Sequence, residues 1–166
     1  MRLIAEKKIK AAPPLPPITA DEIPFDIPQN WCWVRLGDIV TIQSSKRVFE
    51  KDYVANGIPF FRSKEIGDSS RNEEIKTKLF ISETHYKNLK NTVGVPQIND
   101  ILITSVGSIE NAWICDGRKF YYKDGNITQI CNNVNLFSKY VVIFIRSPFF
   151  LFKSIILFRV RLFFYL

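Results

Sequence analysis

The stretch Val95-Pro96-Gln97-Ile98-Asn99-Asp100-Ile101-Leu102-Ile103-Thr104 decides the fold class. Turn-forming polar residues lead into a β-branched and aliphatic run, the pattern of a strand entered from a tight turn. Gly107 breaks that run. Working outward, Ala112-Trp113-Ile114-Cys115 reads as a second strand closed by Asp116-Gly117. Phe120-Tyr121-Tyr122 precedes a second turn, Asp124-Gly125, and Asn126-Ile127-Thr128-Gln129-Ile130 follows it. On the N-terminal side, Gly57-Ile58-Pro59-Phe60-Phe61-Arg62 is a turn entering a strand, and Trp31-Cys32-Trp33-Val34-Arg35-Leu36 fits a strand followed by the short segment Val40 to Gln43. Ser82 is placed to cap a helix running to about Leu89. Gly67 to Lys78 is polar and reads as a surface loop. The expectation is an α/β (α+β), β-rich domain with few short helices.

Three segments follow. Residues 1–20 combine the last turns of a helix (Leu3, Ile4 and Ile9 among Lys and Glu) with a proline-rich linker, Pro13-Pro14-Leu15-Pro16-Pro17. Residues 21–140 form the domain, with the packed part starting at Trp31. Residues 141–166 are an apolar, basic tail interrupted by Arg146, Pro148, Lys153, Arg159 and Arg161. These charges argue against a membrane-spanning helix, which needs about 20 mostly uncharged residues.

The net charge of +7 points to a nucleic-acid partner, but its placement limits that reading. The excess sits in residues 1–20 and 141–166, while 21–140 is balanced. Any DNA contact by the domain therefore depends on locally placed side chains. Cys32, Cys115 and Cys131 are widely spaced, odd in number and form no CxxC, which argues against a disulfide framework or a zinc site; they read as buried thiols in a reducing cytoplasm. His85 reads as a surface or capping residue, and Trp31, Trp33 and Trp113 as core.

Four segments, in order, resemble the target-recognition domains of type I restriction-modification specificity subunits. They are Ile27 to Ile39 (IPQNWCWVRLGDI), Gly57 to Ile66 (GIPFFRSKEI), Asp100 to Ile109 (DILITSVGSI) and Lys123 to Thr128 (KDGNIT). The likeness covers roughly residues 22–140, and residues 1–12 resemble the end of that family's spacer helix. Full specificity subunits carry two recognition domains. This chain carries one, and its tail has no helical stripe with a polar face, so a truncated or frameshifted product is expected, a point that resequencing the locus tests.

The resemblance implies a DNA-binding module that reads half of a bipartite site. The methylation (M) subunits that use S-adenosylmethionine and the restriction (R) subunits that use ATP and Mg would be its partners. No cofactor is expected in this chain and no catalysis. The sequence agrees in holding no GxxxxGK(S/T), no dinucleotide loop and no methylation tetrapeptide such as NPPF. Base and phosphate contacts need donors and acceptors on exposed loops. The candidates are Ser45, Lys46 and Arg47; Arg62, Ser63 and Lys64; Thr104, Ser105 and Ser108; and Asn126, Thr128 and Gln129. Glu110 stands where relatives carry glycine, and a carboxylate there disfavours phosphate. A protein-interaction remnant that never binds DNA is the alternative. A nuclease-like reading fails because Asp100 and Glu110 lack the spacing of a metal-dependent cleavage site.

Overall fold

The computed structural model describes residues 17–23, 25–105, 111–123, 125–132 and 137–148. The expectations for residues 1–16, Gly107, Ser108, Glu110, Asp124 and the tail beyond 148 lie outside these residues. Among the described residues, eight short strands make two four-stranded sheets. The first sheet contains β1 (Thr41–Gln43), β8 (Ile127–Cys131), β5 (Ile101–Thr104) and β6 (Ala112–Ile114), in that order and all antiparallel. The second contains β2 (Tyr53–Val54), β4 (Phe80–Ile81), β3 (Ile58–Phe61) and β7 (Tyr121–Tyr122). Its β3–β7 pair is parallel. Among the described residues, four helices, α1 (Leu36–Ile39), α2 (Ser63–Ser70), α3 (Glu83–Thr92) and α4 (Ser138–Ile145), complete a mixed α/β fold.

The unbroken apolar run at β5 has a simple cause: both faces of that strand are covered. Ile101 and Ile103 pack with Leu36, Val40, Ile130 and the Val141, Val142 and Ile145 side of α4. Leu102 points the other way, into a cluster with Phe61, Ile66, Trp113, Phe120, Tyr122 and Ile127. That cluster joins the two sheets. The doublets Phe60-Phe61 and Tyr121-Tyr122 are split by the two-residue period of a strand. Phe61 and Tyr122 face the first sheet, while Phe60 and Tyr121 face α3, packed with Tyr86 and Leu89. Full burial of each such side chain contributes about 1.5–3 kcal/mol. The layers are thus α3, second sheet, first sheet, α4.

Local chemistry sets the turns and caps. The Ser82 hydroxyl accepts from the His85 backbone N–H at 3.1 Å and starts α3 as expected. The helix runs to Thr92, a turn beyond the expected end at Leu89. Gly125, between β7 of the second sheet and β8 of the first, adopts φ +77°, a backbone that glycine takes without strain. Gly57 lies so close to the Ile81 carbonyl that a side chain there would collide with it.

Two expected elements differ. Trp31 to Arg35 is not a strand; the chain is irregular there and Leu36 opens a short helix. Arg35 is buried and pairs with Glu22 at 3.0 Å, so that segment follows an ion pair to the Ala20–Glu22 turn and not a sheet ladder. The loop expected from Gly67 is the second half of α2, and only after Arg71 does the chain become irregular. Ile66 is the single large apolar residue of α2, so the helix had no apolar stripe to betray it. Arg146, just past α4, donates to the Ser70 and Ala112 carbonyls at 2.9 Å and ties α4 to α2 and β6. No helix among the described residues is long and apolar enough to cross a membrane.

Candidate nucleic-acid interface

Strand directions bring the sequence-nominated groups together. Because β3 and β7 run parallel, their C-terminal ends lie side by side, and the Lys123 N–H donates to the Phe61 carbonyl at 2.8 Å. Arg62 and Lys123 therefore leave the second sheet as neighbours. In the first sheet, the antiparallel β5–β8 pair sets the end of β5 against the start of β8. The Ser105 N–H donates to the Asn126 carbonyl at 2.8 Å, and the Ser105 and Thr128 hydroxyls share a hydrogen bond of 2.7 Å. β1 ends at the same place, with the Ser44 hydroxyl donating to the Ile127 carbonyl at 3.4 Å. Lys123 and Asn126 are three residues apart, at most about 11 Å of extended chain. The ends of five strands thus form one polar rim.

On this rim Lys46 and Arg47 are exposed, and the Lys46 N–H is pinned by the Tyr121 hydroxyl at 2.8 Å. The Ser45 hydroxyl oxygen is buried. Ser105 is exposed and Asn126 and Thr128 are half-buried. Thr104 and Gln129 point inward, each on the opposite side of its strand from Ser105 and Thr128. Gln129 is 2% exposed; its amide donates to Asp100 at 2.7 Å, and its carbonyl accepts from the Tyr122 hydroxyl at 2.9 Å and from Gln43. Its polar atoms face no solvent, so of the nominated polar groups on β8, Thr128 stands at the surface and Gln129 belongs to the interior.

The cations at the end of β3 carry a feature the sequence pattern did not reveal. Ser63 and Lys64 form the first turn of a helix, not a loop. Arg62 pairs with Glu65 at 3.2 Å and Lys64 with Asp68 at 2.9 Å. The hydrogen bond to Asp68 holds the Lys64 ammonium above its ordinary pKa. Both cations stay half-exposed or more, so each keeps donors toward solvent while its carboxylate partner fixes its direction. These partners sit three and four residues along the chain, spacings that meet only on a helix.

Sequence reasoning missed Lys123, exposed and placed between Arg62 and Asn126. Its signal was its position inside the Lys123-Asp124-Gly125 turn. It also missed the structural work of Asp100. That buried carboxylate accepts from the Gln97 and Asn132 N–H groups, both at 2.8 Å, and from Gln129. Of the tryptophans, Trp113 is in the core, while Trp31 is exposed and Trp33 half-buried against Phe25. Cys115 is buried and Cys131 partly so, with burial holding both thiols above their ordinary pKa; Cys32 is exposed, contrary to expectation, because its segment has no sheet partner. No three His, Cys, Asp or Glu side chains among the described residues gather as a metal site.

The two sheets thus carry a polar rim at one end, and comparison with known proteins shows what the chain is similar to. The chain is 31% identical over 104 residues to a Haemophilus influenzae protein named as a type I restriction enzyme specificity subunit, covering 62% of this chain and 25% of that one. It is 34% identical over 71 residues to the specificity subunit of the EcoAI type I restriction enzyme of Escherichia coli, covering 43% of this chain and 12% of that one. The crystal structure of the HsdS subunit from Thermoanaerobacter tengcongensis shares the fold, with a TM-score of 0.56 and 18% identity over 74% of this chain and 29% of that one. No family model matches. The chain is homologous to part of the type I restriction enzyme specificity subunits, and it spans about a quarter of the length of the first relative.

Proposed function

We propose that this chain is a sequence-specific DNA-binding module of a type I restriction-modification system. It reads one half of a bipartite target for methylation and restriction subunits, in the cytoplasm, and has no catalysis of its own. The observation that carries this reading is the convergence of Lys46, Arg62, Lys64, Ser105, Lys123, Asn126 and Thr128 on one rim of a rigid pair of sheets. Cations there bind phosphates and fix register, and the hydroxyls and carboxamide contact base edges. The acidic partners of Arg62 and Lys64 orient the two cations without burying them.

Selection of the full chain against random duplex pools at two salt concentrations tests the reading. The expected result is one enriched half-site, bound with an affinity that falls as salt rises. Arg62→Gln with Lys64→Gln, which keeps hydrogen-bonding groups beside Glu65 and Asp68, should weaken binding and reduce the salt slope by about 2. A pool that shows no enrichment, with binding abolished by salt, leaves a protein-interaction remnant as the better description.

A further inference from the structure

Beside the rim lies a cleft that no nominated group but Lys46 touches. It has a volume of about 420 Å³ and is lined by Lys46, Ser82, Thr84, His85, Asn88, Leu89 and Thr92. One wall is the loop between β1 and β2; the other is α3. Thr84, Asn88 and Thr92 recur every four residues and so share one face of α3. Leu89 forms the buried side of the cleft and, with Tyr86, anchors the helix in the core cluster against the second sheet. Among the described residues no carboxylate lines the cleft, and Glu83 on the same helix is not part of its lining. Lys46 is held at its backbone by Tyr121 and lies two residues after Ser44, whose hydroxyl bonds the Ile127 carbonyl at the rim. Cleft and rim are therefore continuous through a single loop. Their charge and hydrogen-bonding groups suit a polyanion with polar edges, not an apolar ligand or a cation.

Resting on the DNA-reading proposal above, we infer that the cleft takes the edge of the same duplex. Lys46 meets a phosphate, and the Asn88 carboxamide, with Thr84 beside it, reads a base edge. Asn is suited to this because its carboxamide both donates and accepts, matching the N6 and N7 of adenine. α3 is then a specificity-determining element, carrying residues that loop-based reasoning passes over.

The test repeats duplex selection on the full chain, its Asn88→Ala variant and its Lys46→Ala variant. Asn88→Ala should lower the preference at one base pair about tenfold or more while leaving the remaining positions of the motif intact. Lys46→Ala should weaken all sequences alike and reduce the salt slope by about 1. Asn88 is exposed in mid-helix, and alanine favours helix there, so thermal melting should show no loss of fold. A wild-type motif that Asn88→Ala leaves unchanged at every position overturns the role of α3 alone. A wild-type chain that enriches no motif overturns the DNA reading and this inference with it.

Discussion

Thr128 and Gln129 adjoin on β8 and live in opposite surroundings. Thr128 shares a hydrogen bond with Ser105 on the rim, while Gln129 is sealed between the sheets against Asp100 and Tyr122. The same contrast holds for the two regions they belong to. The interior cluster joins β1, β7, β8 and the turn before β5 through Gln43, Tyr122, Gln129 and Asp100, and continues through Asn132 to Ser138 on α4. The rim is built from the same residue types, but its hydroxyls, carboxamide and ammonium groups face solvent. Buried, a polar group must be satisfied internally, and its loss destabilises the fold. At the surface, water satisfies it, and its chemistry is available to a ligand. Residue type therefore says little about which polar groups are available to a ligand; the face of the strand decides.

The largest expected effect comes from breaking the interior side. Asp100→Ala removes the acceptor of three donors, and stability should fall by about 3 kcal/mol or more in denaturant unfolding. A loss under about 1 kcal/mol would end the contrast between the two regions.

A smaller effect is expected from pH. Burial raises the Cys131 thiol from 9.0 to about 11 and pushes Cys115 and Tyr122 up as well. The folded chain keeps these protons where the unfolded chain has released them. Their contribution is thus full below the unfolded values and is lost as pH rises from about 9 toward the folded ones. Urea midpoints should decline over that range, and Cys131→Ala should make the decline shallower. An unchanged slope in the variant would remove Cys131 from the cause.

The smallest expected change in stability is on the rim. Ser105→Ala leaves Thr128 open to water and should shift the unfolding midpoint by no more than about 0.5 kcal/mol. The same substitution should reduce affinity for the selected duplex. Equal binding by variant and parent would place Ser105 off the interface and sharpen the rim toward Lys123 and Asn126.

Much of the scaffold was legible because its signals are local. The run Ile101 to Thr104, the Ser82 cap and the Gly125 turn each depend on residues within a few positions of one another, so one strand, one helix start and one turn could be read directly. The family likeness rested on four ordered segments of the same kind. The candidate site was legible only in part. Lys46, Arg62, Lys64, Ser105, Asn126 and Thr128 reach the rim, but Thr104 and Gln129 do not, and Lys123 was passed over.

By itself the sequence determined the mixed α/β class, the turns and the chemical types available for contact with a ligand. Only the tertiary structure decided which of them meet. The parallel pairing of β3 with β7 bridges about sixty residues of chain, and no local signal encodes a partner at that separation. Two covered faces on the first sheet replace the alternation that would have marked inside from outside. The Arg62–Glu65 and Lys64–Asp68 pairs exist only once α2 winds the chain through a turn. Each of these is set by packing between distant segments, and packing is a property of the folded chain.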